Sequence, residues 1–153
     1  MLPLLLQPQR HDYIGIFKGR IQVVLCAPPT LLPNGLQEML ERCALKHVTI
    51  EHSLDAALEN ADIVMPLRLQ KERQQSGLIS SMREYIRGYQ VSQQRIAKAK
   101  PDVLVMHPGP MNEGVEISHE VAYGTRSRIE QQVTNGVAIR MALLYLVAGG
   151  KSR

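Results

Sequence analysis

Two short apolar runs in this sequence stop abruptly at prolines. "VVLCAPP" ends at Pro28 and Pro29, and "DVLVMHPGP" ends at Pro108 and Pro110. Proline has no amide proton and a fixed φ, so neither run can continue as a ladder strand past those points. Short runs rich in aliphatic and β-branched residues, bounded in this way, read as strands buried on both faces. The first is expected at roughly Gln22 to Ala27 and the second over Asp102 to Pro108.

Between them, helix and strand patterns alternate. Leu36, Met39, Leu40 and Cys43 fall at i, i+3, i+4 and i+7, a single helical stripe. "HVTIEH" reads as an edge-like strand. Ser53 is placed to cap a short helix, "SLDAALEN", with Asp55 near its positive end. "ADIVMPLR" reads as another strand. The charged stretch from Leu69 to Gln90 lacks clean periodicity and reads as a long mobile loop with a short helix at Ser81 to Arg87. Ser92 opens a helix that Pro101 must end. In the last segment Val133, Val137, Met141 and Leu144 share one helical face, and Gly149-Gly150 stops the helix. Met1 to Arg10, rich in Leu, Pro and Gln, reads as a ragged start rather than a packed element. The expected class is α/β: a mostly parallel sheet of about four strands with flanking helices.

Size and charge narrow the functional classes. At 153 residues the chain is expected to hold one domain able to bury a core without metals or disulfides. The net charge is +4, but Lys and Arg are scattered and no aromatic stacking set accompanies them, which argues against a nucleic-acid binder. The apolar start "MLPLLL" is too short to span a membrane and lacks a basic leader, so the protein is expected in the cytoplasm. Cys26 and Cys43 have no CxxC or zinc spacing and read as two buried thiols in a reducing compartment. No metal site is expected. The Gly-rich loop of a nucleotide-binding fold is absent after the first run, where "CAPPTLLPNG" has no GxGxxG.

In open α/β sheets, ligands bind beyond the carboxyl ends of the strands. Two chemically dense segments fall there, "RLQKER" and "HPGP". If the chain stays extended, Arg68 and Gln70 point to the same side. Arg offers a planar fork for a carboxylate and Gln adds a neutral donor and acceptor, a pair suited to a small amino acid. Lys71, Glu72 and Arg73 would brace the loop through ion pairs. The blander alternative is a solvated charged loop. Pro108 and Pro110 lack N–H groups and Gly109 lacks a side chain, so this turn presents carbonyl acceptors that suit an NH2 group. The Gly109-Pro110 bond has the cis option. Here the alternative is a plain strand-ending turn, and His107 alone reads more readily as a structural imidazole than as a base.

"RLQKER", "MHPGPMNEGVEI" and "EQQVTNGVAIRMALLYL", in that order and spacing, resemble the aspartate-binding half of aspartate carbamoyltransferase. "APPTLLP" and "LDAALENADIVM" also fit, so the resemblance runs from Val23 to Leu146. The sister ornithine enzymes carry a cysteine in the glycine region of "HPGP" and lack "RLQKER". The resemblance implies a Rossmann-like aspartate-binding domain over residues 20–153, preceded by a remnant or linker over residues 1–19. It implies transfer of a carbamoyl group from carbamoyl phosphate to L-aspartate in pyrimidine synthesis, with no cofactor. Arg68 and Gln70 would contact aspartate. The carbonyls of Pro108 and Gly109 would orient the carbamoyl NH2, with Gly109-Pro110 as the family's cis bond. Family members form trimers, some with regulatory chains. No residue of this chain is assigned a catalytic role.

The sequence also departs from the family. It holds neither the Ser-x-Arg-Thr phosphate loop nor the His-Pro-x-Gln segment. Between "FKG" and "VVLCAPP" a strand–loop–helix unit of about 25 residues is expected and absent, so the sheet should lack its first, central strand and a second aspartate-binding Arg. Glu113 stands where the family commonly has Arg, and Pro66 falls inside an expected central strand. The expectation is an inactive isolated chain, whose closing helix exposes an apolar face. The alternative is a non-catalytic remnant or amino-acid-binding module that pairs with full-length subunits.

Overall fold

The computed structural model describes residues 4–8, 21–70 and 81–149. Five strands form one sheet: β1 (Leu4–Pro8), β2 (Ile21–Cys26), β3 (Val48–Glu51), β4 (Ile63–Met65) and β5 (Leu104–Val105), in the order β3-β2-β1-β4-β5. β2 pairs parallel with β3, and β4 parallel with β5. Parallel pairing was expected of the sheet as a whole, and "HVTIEH" lies at a sheet edge as its sequence suggested.

The centre of the sheet corrects one expectation. Leu4–Pro8, within the stretch expected to be ragged, form a strand. β1 runs antiparallel to both neighbours, with Leu4 opposite Leu25 and Met65, and Leu6 opposite Val23 and Ile63. It lies between β2 and β4, where the expected parallel strand is missing. The physical reason is edge pairing: without a strand there, β2 and β4 would each present a row of unpaired N–H and C=O groups. Pro8 is tolerated because it lies opposite Ile21 of β2 and beyond the β1–β4 ladder.

Among the described residues, six α-helices flank the sheet: α1 (Leu36–Arg42), α2 (Leu54–Leu58), α3 (Met82–Tyr89), α4 (Gln93–Ile96), α5 (His119–Ala122) and α6 (Ile129–Val147). Three serines start helices. Ser53 accepts from the Ala56 amide, Ser81 from Glu84 and Ser92 from Arg95, satisfying donors that a helix start leaves unpaired. Asp55 in the first turn of α2 binds Arg95 at 3.1 Å and Lys98 at 2.8 Å, tying α2 to α4. α4 is shorter than the sequence suggests, ending at Ile96 rather than at Lys100.

The main core lies under the sheet and is built from Leu58, Val64, Ile96, Val103, Val105 and Ile117 with their neighbours. A smaller cluster holds Leu69, Tyr85 and Val115. Pro66 is buried but follows the last residue of β4, so no ladder bond is lost to it. Cys26 is buried, as expected, and burial pushes its thiol up to about 12; Cys43 is exposed, against expectation. The stripe of α1 is correspondingly shallow, with only Leu40 buried. On α6 the expected face is present but uncovered: Val133, Val137, Met141 and Leu144 are 40%, 47%, 65% and 70% exposed. Only Ile129, its first residue, reaches the core. Among the described residues no helix is long and apolar enough to cross a membrane.

Candidate functional site at the strand ends

Because β1 is antiparallel to both β2 and β4, those two strands run the same way, and all four parallel-paired strands end on one edge of the sheet. β4 and β5 are neighbours, and the Met106 amide donates to the Val64 carbonyl just beyond β5. The two segments singled out in the sequence therefore leave adjacent strands on the same edge. Leu69 is buried while Arg68 and Gln70 on either side are half-buried, the alternation expected of an extended chain. Lys71, Glu72 and Arg73 lie outside the described residues.

The turn after β5 is built from its own side chains. The Gly109-Pro110 bond is cis. Gly109 has φ of +66°, in the left-handed region. A Cβ there would meet only Val133 Cγ2, at 3.6 Å, an ordinary contact. Glycine is needed at this position for its backbone angle more than for space. The Gly109 N–H donates to His107 Nδ1 at 2.9 Å, and the His107 N–H donates to Gln132 Oε1 at 2.8 Å. Pro108 and Pro110 have no N–H to offer. Among the described residues no hydrogen bond reaches the carbonyls of Pro108 or Gly109. The exposed turn thus presents acceptors and keeps its one nearby donor turned inward.

His107 is wholly buried and structural in position. With Nδ1 accepting, the neutral ring carries its proton on Nε2, which lies 3.4 Å from Glu116 Oε1. That contact is close but falls short of a well-formed hydrogen bond. Glu116, only 1% exposed, is the hub of the region. Its Oε1 accepts from the Asn112 amide at 2.5 Å, and its Oε2 from the Leu69 amide at 3.5 Å. Asn112 Nδ2 then donates to the Leu69 carbonyl at 3.0 Å. Burial pushes the Glu116 carboxyl up, but the adjacent His107 ring and the backbone amides of Asn112, Glu116 itself and Leu69 outweigh it and hold the group below the usual carboxylate range.

The two segments stand out in the sequence, but the residues that join them do not. Glu116 and Asn112 fall in "MNEGVEI", and Gln132 in "EQQV". A lone acid between Val115 and Ile117 was the available signal. Glu113, read as a misplaced charge, binds His119 Nδ1 at 2.9 Å and the Tyr123 hydroxyl at 2.7 Å. The His119 and Tyr123 bonds lower its carboxyl pKa. Clefts of about 290, 410 and 430 Å³ lie elsewhere on the molecule, and none is lined by Arg68, Gln70 or Gly109. Among the described residues no group of His, Cys, Asp or Glu side chains is arranged to hold a metal ion.

Comparison with known proteins matches this arrangement to one family. The family pattern for the aspartate/ornithine carbamoyltransferase Asp/Orn-binding domain covers residues 11–147. Aspartate carbamoyltransferase catalytic subunits from Desulforudis audaxviator and Desulforamulus reducens are 53% and 49% identical over 142 residues, or 93% of this chain. The chain spans 44% and 43% of the length of those two relatives. The aspartate transcarbamoylase of Trypanosoma cruzi, solved in complex with carbamoyl phosphate and aspartate, superposes with a TM-score of 0.64 at 32% identity, covering 80% of this chain and 40% of that one. The ornithine carbamoyltransferase of Pyrococcus furiosus shares the fold, with a TM-score of 0.69 at 24% identity over 84% of this chain and 42% of its own. The chain belongs to the aspartate/ornithine carbamoyltransferase family and corresponds to its Asp/Orn-binding domain.

Proposed function

We propose that residues 20–153 are the aspartate-binding half of an aspartate carbamoyltransferase. Arg68 and Gln70 grip L-aspartate, and the Pro108 and Gly109 carbonyls orient the NH2 of carbamoyl phosphate around the cis Gly109-Pro110 bond. One observation carries this reading: Leu69, between the two aspartate ligands, is bonded to Asn112 and Glu116, immediately behind the carbonyl-presenting turn. The two halves of the reaction meet at one edge of the sheet.

The chemistry is positional. An amine and a carbamoyl carbon held in line gain most of their rate from orientation and from donors aimed at the developing oxyanion. The carbonyl acceptors here supply the orientation. The oxyanion and phosphate donors are not supplied, since these 153 residues contain neither Ser-x-Arg-Thr nor His-Pro-x-Gln. Turnover therefore requires a carbamoyl-phosphate domain, and the chain alone binds aspartate weakly without converting it. A homotrimer with sites between subunits, and a cytoplasmic location, follow from the same reading.

The experiment is an assay of the purified chain with carbamoyl phosphate and radiolabelled aspartate, beside calorimetry with aspartate alone. The reading predicts no product, and aspartate heat that Arg68→Ala abolishes. Turnover at the rate of an intact enzyme contradicts the inactivity. Heat unchanged by Arg68→Ala removes the assigned ligand. A second reading, a module that binds an amino acid and pairs with full-length subunits, is favoured if the chain co-assembles with such subunits and still makes no product.

A further inference from the structure

Glu116 is a buried carboxylate whose two oxygens accept from Leu69 and Asn112, 43 residues apart in the chain. One is Leu69, flanked by Arg68 and Gln70. The other is Asn112, two residues past the cis turn. Asn112 closes the loop by donating its side-chain Nδ2 to the Leu69 carbonyl. Both backbone polar groups of Leu69 are thus held from the far segment, and its side chain packs with Val115 and Tyr85. Removing a buried charge from water is costly unless several donors face it. Here donors do, and they come from both sides of the site. A core leucine or methionine in this place would fill the volume but tie nothing.

We propose that Glu116 is a positioning residue: its carboxylate fixes the spacing between the aspartate-gripping segment and the carbamoyl-gripping turn, acting through the Leu69 backbone. The inference deepens the function proposed above and rests on it for the identity of the ligand. Glu116 touches no substrate and transfers no proton. It sets where Arg68 and Gln70 stand relative to the Gly109 carbonyl. Asn112 is its partner in the same task.

The test uses the full chain, labelled with nitrogen-15, and follows amide exchange at Leu69, Asn112 and Ala57. The Ala57 amide, bonded to the Ser53 carbonyl within α2, is the remote control. In Glu116→Gln the carboxamide oxygen stays on the closer Asn112 amide, and the NH2 group turns toward the Leu69 amide as a second donor. Exchange at Leu69 is expected to quicken about tenfold or more, with Asn112 and Ala57 within about threefold of wild type. Aspartate affinity by calorimetry is expected to fall about fivefold or more, since the ligand segment is loosened. Asn112→Ala, a milder change, should loosen Leu69 through its carbonyl and weaken aspartate in parallel. Unchanged exchange at Leu69 in both variants overturns the proposal. So does equal loss at Leu69, Asn112 and Ala57, which marks general destabilisation, and so does a loosened Leu69 with aspartate affinity unchanged. If wild type gives no aspartate heat while Leu69 alone loosens, the tie between the segments stands and the ligand reading fails.

Discussion

The turn after β5 and the closing helix α6 invert the usual relation between polarity and depth. α6 carries the sequence's longest unbroken apolar run, which includes "MALLYLV", yet Leu144 and Leu146 are each 70% exposed. Between β5 and α6, the acid Glu116 and the imidazole His107 are 1% and 0% exposed. The difference lies in available partners. Glu116 finds donors on Leu69 and Asn112, and burial of a charge is tolerated when such donors surround it. The outer part of α6 has no packed surface opposite it among the described residues, so its apolar face stays in contact with solvent. Only its first turn is held, by Ile129 in the core and by Gln132, which accepts from the His107 amide and lies 3.5 Å from Met65 Sδ. Depth in this molecule follows bonding and packing partners, not residue type.

The comparison breaks most sharply at its hub. Glu116→Ala leaves the half-buried Asn112 and buried Leu69 donors without their acceptor and should cost about 3 kcal/mol in urea unfolding. A loss under about 0.5 kcal/mol would mean that the carboxylate is a passenger. Next comes the turn that the hub supports. Gly109→Ala forces a side chain into φ of +66° and should cost about 1–2 kcal/mol, although the space for the Cβ is adequate. A remote comparison of similar size is Ser53→Ala, which removes the cap of α2 and should cost about 1 kcal/mol.

Acidity sharpens the same contrast. The Glu116 carboxyl is depressed below its ordinary 4.5 in the folded state. Its stabilisation is therefore complete above the unfolded value and is lost as pH falls through the lower folded value. Urea midpoints taken from about pH 5 down to about pH 3 should decline more steeply in wild type than in Glu116→Gln, which has no proton to gain there. Equal slopes would show that this carboxylate contributes nothing to acid sensitivity. The smallest effect belongs to α6. Leu144→Ser should change stability by less than about 0.5 kcal/mol, since the side chain is already in solvent. A loss of about 2 kcal/mol or more would mean that the helix packs against something in solution.

Much of this fold is legible from local signals. Ser53, Ser81 and Ser92 cap helices because their hydroxyls meet amides three residues on, a relation contained within each segment. The strand ends at Cys26 and Met65 sit before prolines for an equally local reason. The two segments proposed to hold the substrates also stood out, because Arg, Gln and the Pro-Gly-Pro run are chemically dense stretches at strand ends. What was not readable is non-local. A leucine run such as "LLLQP" has no period that tells strand from tail, and its placement depends on two edges supplied by β2 and β4. The exposure of Cys43 and of α6 depends on what covers a stripe, which periodicity does not encode. Glu116 looks like a surface acid until Leu69, far away in sequence, is beside it.

The central claim is that the segment after β4 and the turn after β5 form one site for aspartate and its carbamoyl partner. A nitrogen-15 amide titration with L-aspartate tests it most directly, run on the wild-type chain and on Arg68→Ala. The account predicts saturable shifts at Gln70 and Gly109 together in the wild type, and their loss in Arg68→Ala. Shifts confined to other parts of the molecule, or shifts that persist without Arg68, would contradict it.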